Sequence, residues 1–218
     1  MGASGIEIAS TICIAIGCLL TCISVGIPYW EKNDPEDTVN DNIIRHKGIW
    51  VKCVTYSTGN WECDDFNKFF LGLPAMLQAA RGFGVTAILL GIAATATIVL
   101  GMDSVPCGSD NKHMKRRIRM VAGAMSIVGG FCIIAAASWY ANQIRLEYDV
   151  ETARKLGGSN VTRNVFGEAL FLGWAGGALL FLGGLLAICT SCDDSEDDHH
   201  SRGYAYRPPA TKHSQEYV

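Results

Sequence analysis

Charge is scarce in this 218-residue chain, and it is missing in blocks. Asp, Glu, Lys and Arg make up 18% of the residues, and four stretches (8–30, 82–102, 120–140 and 169–192) contain none of them. Each stretch has at least 21 residues. At about 1.5 Å of rise per residue, a helix of that length spans roughly the 30 Å of a bilayer's hydrocarbon core. Soluble core helices are seldom uncharged on every face for so long, so the pattern speaks against an ordinary soluble domain. A basic leader is also lacking. No Lys or Arg precedes Lys32, so the first apolar stretch reads as a retained span rather than a cleaved signal peptide. Ile6 stands where a myristoylation motif needs Ser or Thr. The formal net charge of −3 gives no basis for a nucleic-acid partner. With no ionisable residue in the long spans, an intramembrane acid, base or metal site has nothing to be built from. No enzymatic activity, cofactor or metal is expected.

What is present divides an α+β membrane protein into alternating segments. The expected order is a cytosolic N-terminus (1–7), a first span (8–30), a long outer loop (31–81), a second span (82–102), a cytosolic loop (103–119), a third span (120–144), a second outer loop (145–168), a fourth span (169–192) and a disordered cytosolic tail (193–218). An even number of spans puts both ends on one side. The 103–119 loop carries Lys112, Lys115, Arg116, Arg117 and Arg119 against Asp103 and Asp110, which favours the cytosol. The bilayer itself is the first expected partner.

Cysteine placement supports that orientation. Of nine cysteines, Cys13, Cys18, Cys22, Cys132 and Cys189 lie in apolar spans, Cys107 lies in the basic loop and Cys192 ends the last span. Cys53 and Cys63 are the isolated pair in the first outer loop, which reads as a disulfide in an oxidising compartment. The sequon Asn160-Val161-Thr162 places a glycan acceptor in the second outer loop. Residues 49–56 are rich in β-branched and aromatic side chains, 57–60 carry turn chemistry and Trp61 resumes the pattern. This predicts a hairpin with the two cysteines on neighbouring strands, staggered by about one residue. Residues 34–42 should be loop or edge strand. Phe69, Phe70, Leu73, Leu77 and Ala80 have helical spacing, which predicts a short amphipathic helix leading into the second span with a bend at Pro74. Tyr148, Val150 and Val161 should anchor the second loop, which could add one strand to the first loop's sheet.

Trp30, then Gly48-Ile49-Trp50, then Cys53 and Cys63 with nine residues between them, resemble the signature of the claudins. Arg81 before the second span, Trp174 in the fourth and the Tyr217-Val218 ending extend the resemblance over the whole chain. Ile49 stands where the family usually has Leu. In the second loop only Tyr148 matches the family's common aromatic pair. The resemblance implies a left-handed four-helix transmembrane bundle carrying a small extracellular antiparallel β-sheet built from both loops. It also implies side-by-side and head-on assembly with other claudin-like chains, location in the plasma membrane at tight junctions, and control of paracellular permeability.

Asp64 and Asp65 follow Cys63 directly. Carboxylates lining a narrow passage attract cations, and cation-conducting claudins carry acids at similar positions, so a cation-permissive pore is expected. Glu216-Tyr217-Val218 offers a free carboxylate and an apolar terminal side chain, suited to strand addition in a PDZ groove, and the resemblance to claudins implies a scaffold of the zonula occludens type as the partner. Cys189 and Cys192 are juxtamembrane and suit palmitoylation. Gly173 and Gly177, with Gly129-Gly130 and Gly183-Gly184, give small helix faces that could serve either the bundle or lateral assembly. Two other readings stay open. One is an auxiliary subunit of the calcium-channel gamma or peripheral myelin type, which shares much of the signature. The other is a membrane oxidoreductase of the vitamin K epoxide reductase type, suggested only by the Cys189–Cys192 spacing.

Overall fold

Each of the four uncharged runs becomes a helix in the computed structural model, which describes residues 5–34, 43–66, 72–102, 112–158 and 162–202. The elements in chain order are α1 (Gly5–Gly26), β1 (Glu31–Asn33), β2 (Ile43–Lys47), β3 (Val51–Tyr56), β4 (Trp61–Asp65), α2 (Ala75–Gly101), α3 (Lys112–Leu156), β5 (Asn164–Phe166) and α4 (Glu168–Arg202). All four helices contain a segment long and apolar enough to cross a membrane. In the bundle α1 packs on α2 and α4, and α3 packs on the same two. The outward faces are apolar, with Ile12, Leu19, Leu89, Ile92, Phe131 and Leu182 exposed, as a lipid solvent requires.

Lipid gives helices no hydrophobic reason to associate, so close packing and interhelical hydrogen bonds must hold them. Glycine provides the first. A Cβ on Gly123 would lie 2.8 Å from the Gly184 carbonyl oxygen, and one on Gly130 would lie 2.7 Å from that of Gly177. The small faces therefore serve the bundle within one chain. Serine provides the second. Ser24 Oγ donates to the Ala169 carbonyl at 2.7 Å, joining α1 to α4, and Ser126 Oγ donates to Leu180 at 2.7 Å, joining α3 to α4.

The five strands form one antiparallel sheet of order β4-β3-β2-β1-β5. The expected hairpin is β3–β4, turned at Gly59 with a φ of 83°. The expected added strand from the second loop is β5, which joins β1 at the far end of the sheet. Cys53 and Cys63 are directly opposite, not staggered, with their Cα atoms 4.1 Å apart and their sulfurs bonded. The turn residues pair more tightly than a four-residue loop implies, because Tyr56 N–H donates to the Asn60 carbonyl at 2.8 Å.

Several boundaries differ from expectation. Pro74 is the N-cap of α2, so the helix into the second span starts at Ala75 and is continuous from there. Proline fits there because the first N–H groups of a helix have no partner inside it. α3 runs to Leu156, well past residue 144, since no proline interrupts it and helix propagation costs little once nucleated. For the same reason α4 continues to Arg202, and the start of the tail is helical rather than disordered. β1 and β2 were not expected. They are short and charged, and only their partners make them strands. Phe69, Phe70, Cys107, Asn160, Val161, most of 34–42 and the terminal Glu216, Tyr217 and Val218 lie outside the described residues.

Candidate functional site

The signature residues converge where the sheet meets the bundle. The last carbonyls of a helix have no partner within it, and near a membrane water is a poor substitute. At the end of α1, Ile23 accepts from Ile27 N–H at 3.0 Å. Ser24 accepts from the Trp30 indole N–H at 2.8 Å, and Val25 accepts from the Trp50 indole N–H at 2.9 Å. The two signature tryptophans thus cap α1 from the sheet side. Trp30 is fully buried and meets Tyr140 of α3 edge to face, with ring centres 5.2 Å apart. Ile49 is fully buried in the same cluster with Leu73, Leu77 and Ala80. Arg81 on α2 closes the joint. Its Nε–H donates to the Ile49 carbonyl at 2.7 Å, and its guanidinium lies over the rings of Trp50 and Phe66.

Gly48 is required by proximity. A Cβ there would lie 2.6 Å from the Pro28 Cα. A residue that sequence reasoning did not single out, Gly167, is tighter still, since a Cβ there would run into the Tyr29 carbonyl. The 28–30 segment is thus held between two glycines. Gly167 N–H donates to the Trp30 carbonyl at 3.0 Å, and Ala169 N–H to that of Tyr29 at 3.0 Å. The signal was a lone glycine just ahead of an apolar run.

A polar network supports the joint. The Glu31 carboxylate is buried and accepts from Tyr140 Oη at 3.2 Å and Lys47 Nζ at 3.0 Å. Lys32 pairs with Glu168 at the head of α4. Arg163 reaches Asp34 at 3.3 Å and Tyr148 Oη at 3.0 Å, which ties the α3 extension to the sheet. Tyr148 thus anchors the second loop as expected, whereas Val150 is exposed. His46 faces Lys32 and Cys53 on the neighbouring strands, and its ring meets Tyr29 edge to face at 4.6 Å. Burial pushes its pKa below the ordinary value of 6.5, Glu168 opposes that shift and Lys32 adds to it.

Asp64 and Asp65 are exposed on the edge strand β4. Adjacent strand residues point to opposite faces, so the two carboxylates do not form a pair. Asp64 lies opposite Lys52, and Lys52 lies opposite Lys47. These three, with Asp65, Phe66 and residues 72–74, 76 and 77, line an open groove of about 710 Å³. Cys189 and Cys192 are exposed near the end of the apolar part of α4.

Two outcomes follow from this joint. Replacing Trp30 by Phe keeps a ring but leaves the Ser24 carbonyl buried without its donor, which should cost about 2 kcal/mol in denaturation of the detergent-solubilised protein. The depressed His46 pKa means that the unfolded chain takes up the proton first. Stability should therefore be intact above pH 6.5 and fall as the pH drops below it. Melting curves of the protein and of His46→Asn should diverge in that acid range, with the variant less acid-sensitive.

Residues 4–187 match the model of the PMP-22/EMP/MP20/Claudin family. Claudin-7 of Mus musculus is 36% identical over 226 residues, covering 100% of both chains. Claudin-1 of Mus musculus is 32% identical over 195 residues, covering 87% of this chain and 88% of that one. Claudin-18 of Rattus norvegicus is 31% identical over 212 residues, covering 91% and 80%. With four membrane-length helices, a two-loop sheet and the Cys53–Cys63 bridge, the chain belongs to the PMP-22/EMP/MP20/Claudin family and is a claudin-like, multi-pass plasma-membrane protein of the tight junction.

Proposed function

We propose that chains of this protein assemble side by side in one membrane and head-on across the intercellular gap, and that the charged face of the sheet sets which ions pass between cells. The observation that carries this reading is a cross-strand row. Glu31, Lys47, Lys52 and Asp64 are successive partners from β1 to β4, so their side chains share one face. A rigid sheet fixes these charges in place, and fixed charges beside a narrow aqueous path bias its ion content.

The row refines the cation-permissive expectation. Glu31 is held by Lys47 and Tyr140, which leaves Asp64 and its neighbour Lys52 as the exposed pair. Selectivity then depends on the balance of those two, with Asp64 favouring cations and Lys52 opposing them. Asp65 lies off this row, opposite Val51, at the end of β4 beside the same groove. Both termini are cytosolic in this reading. The Glu216-Tyr217-Val218 end serves a PDZ scaffold of the zonula occludens type, Cys189 and Cys192 accept palmitate, and Asn160 is the glycan acceptor on the outer side. The full-length similarity to claudins favours this over the auxiliary-subunit alternative.

Dilution potentials across epithelial layers that express the protein test the proposal. One unit charge about 5 Å from a water-filled path is worth about 0.8 kcal/mol, favourable to one ion sign and unfavourable to the other, or roughly 15-fold in the ratio of their permeabilities. Lys52→Met should raise Na⁺ over Cl⁻ by about that factor, and Asp64→Asn should lower it. If neither variant moves the ratio while both reach the junction, the sheet face does not line the path.

A further inference from the structure

The first two turns of α3 hold a charge pattern that the outward-facing function does not use. Lys112, Lys115, Arg116, Arg117 and Arg119 fall within eight residues, with no acid among them. The uncharged part of the helix begins at Met120. At about 1.5 Å per residue the cluster lies within roughly 12 Å of the hydrocarbon boundary, the depth of lipid headgroups.

Four of these cations divide into two pairs by what they touch. Arg119 is turned inward and 5% exposed, and it pairs at 3.1 Å with Glu7 of α1, itself 3% exposed. Lys115 Nζ donates to the Met102 carbonyl just past α2 at 3.3 Å. These two fasten α3 to α1 and α2. Arg117 points the other way. Met114, Arg117 and Val121 are spaced three and four apart, so they share one helix face, and all three are exposed. Val128 and Phe131 continue that stripe across the span. Arg117 is thus the charged end of a lipid-facing stripe. Beside it, Arg116 is half-buried with its Nε buried and without a hydrogen-bond acceptor among the described residues.

We infer that Arg116 and Arg117 form a cytosolic-leaflet binding site for the headgroup of a polyphosphorylated anionic lipid. Two successive guanidinium groups at headgroup depth, each able to bind phosphate oxygens bidentately, suit a headgroup with several phosphates, and the apolar stripe beside Arg117 accepts the acyl chains. The Glu7–Arg119 pair holds the helix at the depth the site needs. The inference does not depend on ion passage at the sheet.

The test uses the full chain in nanodiscs of phosphatidylcholine doped with a fluorescent phosphoinositide bisphosphate, or with phosphatidylserine at equal charge. Binding of the labelled lipid is compared for the unaltered chain, for Arg116→Gln with Arg117→Gln, and for a Lys155→Gln control. The melting midpoint and the Cys53–Cys63 bridge verify the fold. The site predicts preference for the phosphoinositide, about 30-fold weaker binding in the double variant and no change in the control. Equal binding by the double variant overturns it, as does equal affinity for both lipids at matched charge. If the double variant melts early, Arg117→Gln alone must still lose about fivefold.

Discussion

The extracellular sheet depends on how α1 ends. Its strands have three to six residues, β4 is exposed along its whole length, and the sheet has little core of its own. The disulfide joins only β3 and the edge strand β4, on either side of the Gly59 turn. The rest is held by two indoles that satisfy helix carbonyls and by a short segment fixed between Gly48 and Gly167. One set of contacts therefore does two jobs. It caps a helix at the membrane edge and sets the angle at which the sheet stands on the bundle.

That coupling explains why the signature is scattered in sequence yet compact in space. Trp30 and Trp50 come from different strand ends, Arg81 from a helix, and Gly48 from the tight link between β2 and β3. Each solves a local problem that the others create. Trp50 can reach Val25 only if the link passes close to Pro28, and that approach needs Gly48. Arg81 then covers the exposed indole and takes up the Ile49 carbonyl left outside the strands. Below the joint the bundle is governed by lipid, with small residues and hydroxyls at helix contacts and bulky apolar side chains outside.

The spans, the hairpin and the cystine were legible because each rests on local pattern: uncharged length, alternating β-branched residues around Gly59, and a lone pair of loop cysteines. β1 and β2 were not legible. Glu31, Lys32 and Asn33 have no strand propensity, and their conformation comes from pairing with β5 and β2, far away in sequence. The ends of α3 and α4 were misplaced because charge marks where lipid stops, not where a helix stops. Of the site, the tryptophans and Arg81 were found through resemblance, and their physical roles emerged only from the geometry. Gly167, Glu31 with Tyr140, and Glu7 with Arg119 were missed because each makes sense only beside a partner remote in the chain.

The central claim is a cystine-stapled sheet outside the cell, standing on a lipid-embedded bundle. Labelling intact cells with a membrane-impermeant maleimide, before and after mild reduction, addresses it in one measurement read by peptide mapping. The account predicts that Cys53 and Cys63 are modified only after reduction, while Cys107 stays unmodified in both states until the membrane is opened. Labelling of Cys53 or Cys63 without reduction, or labelling of Cys107 from outside, would contradict it.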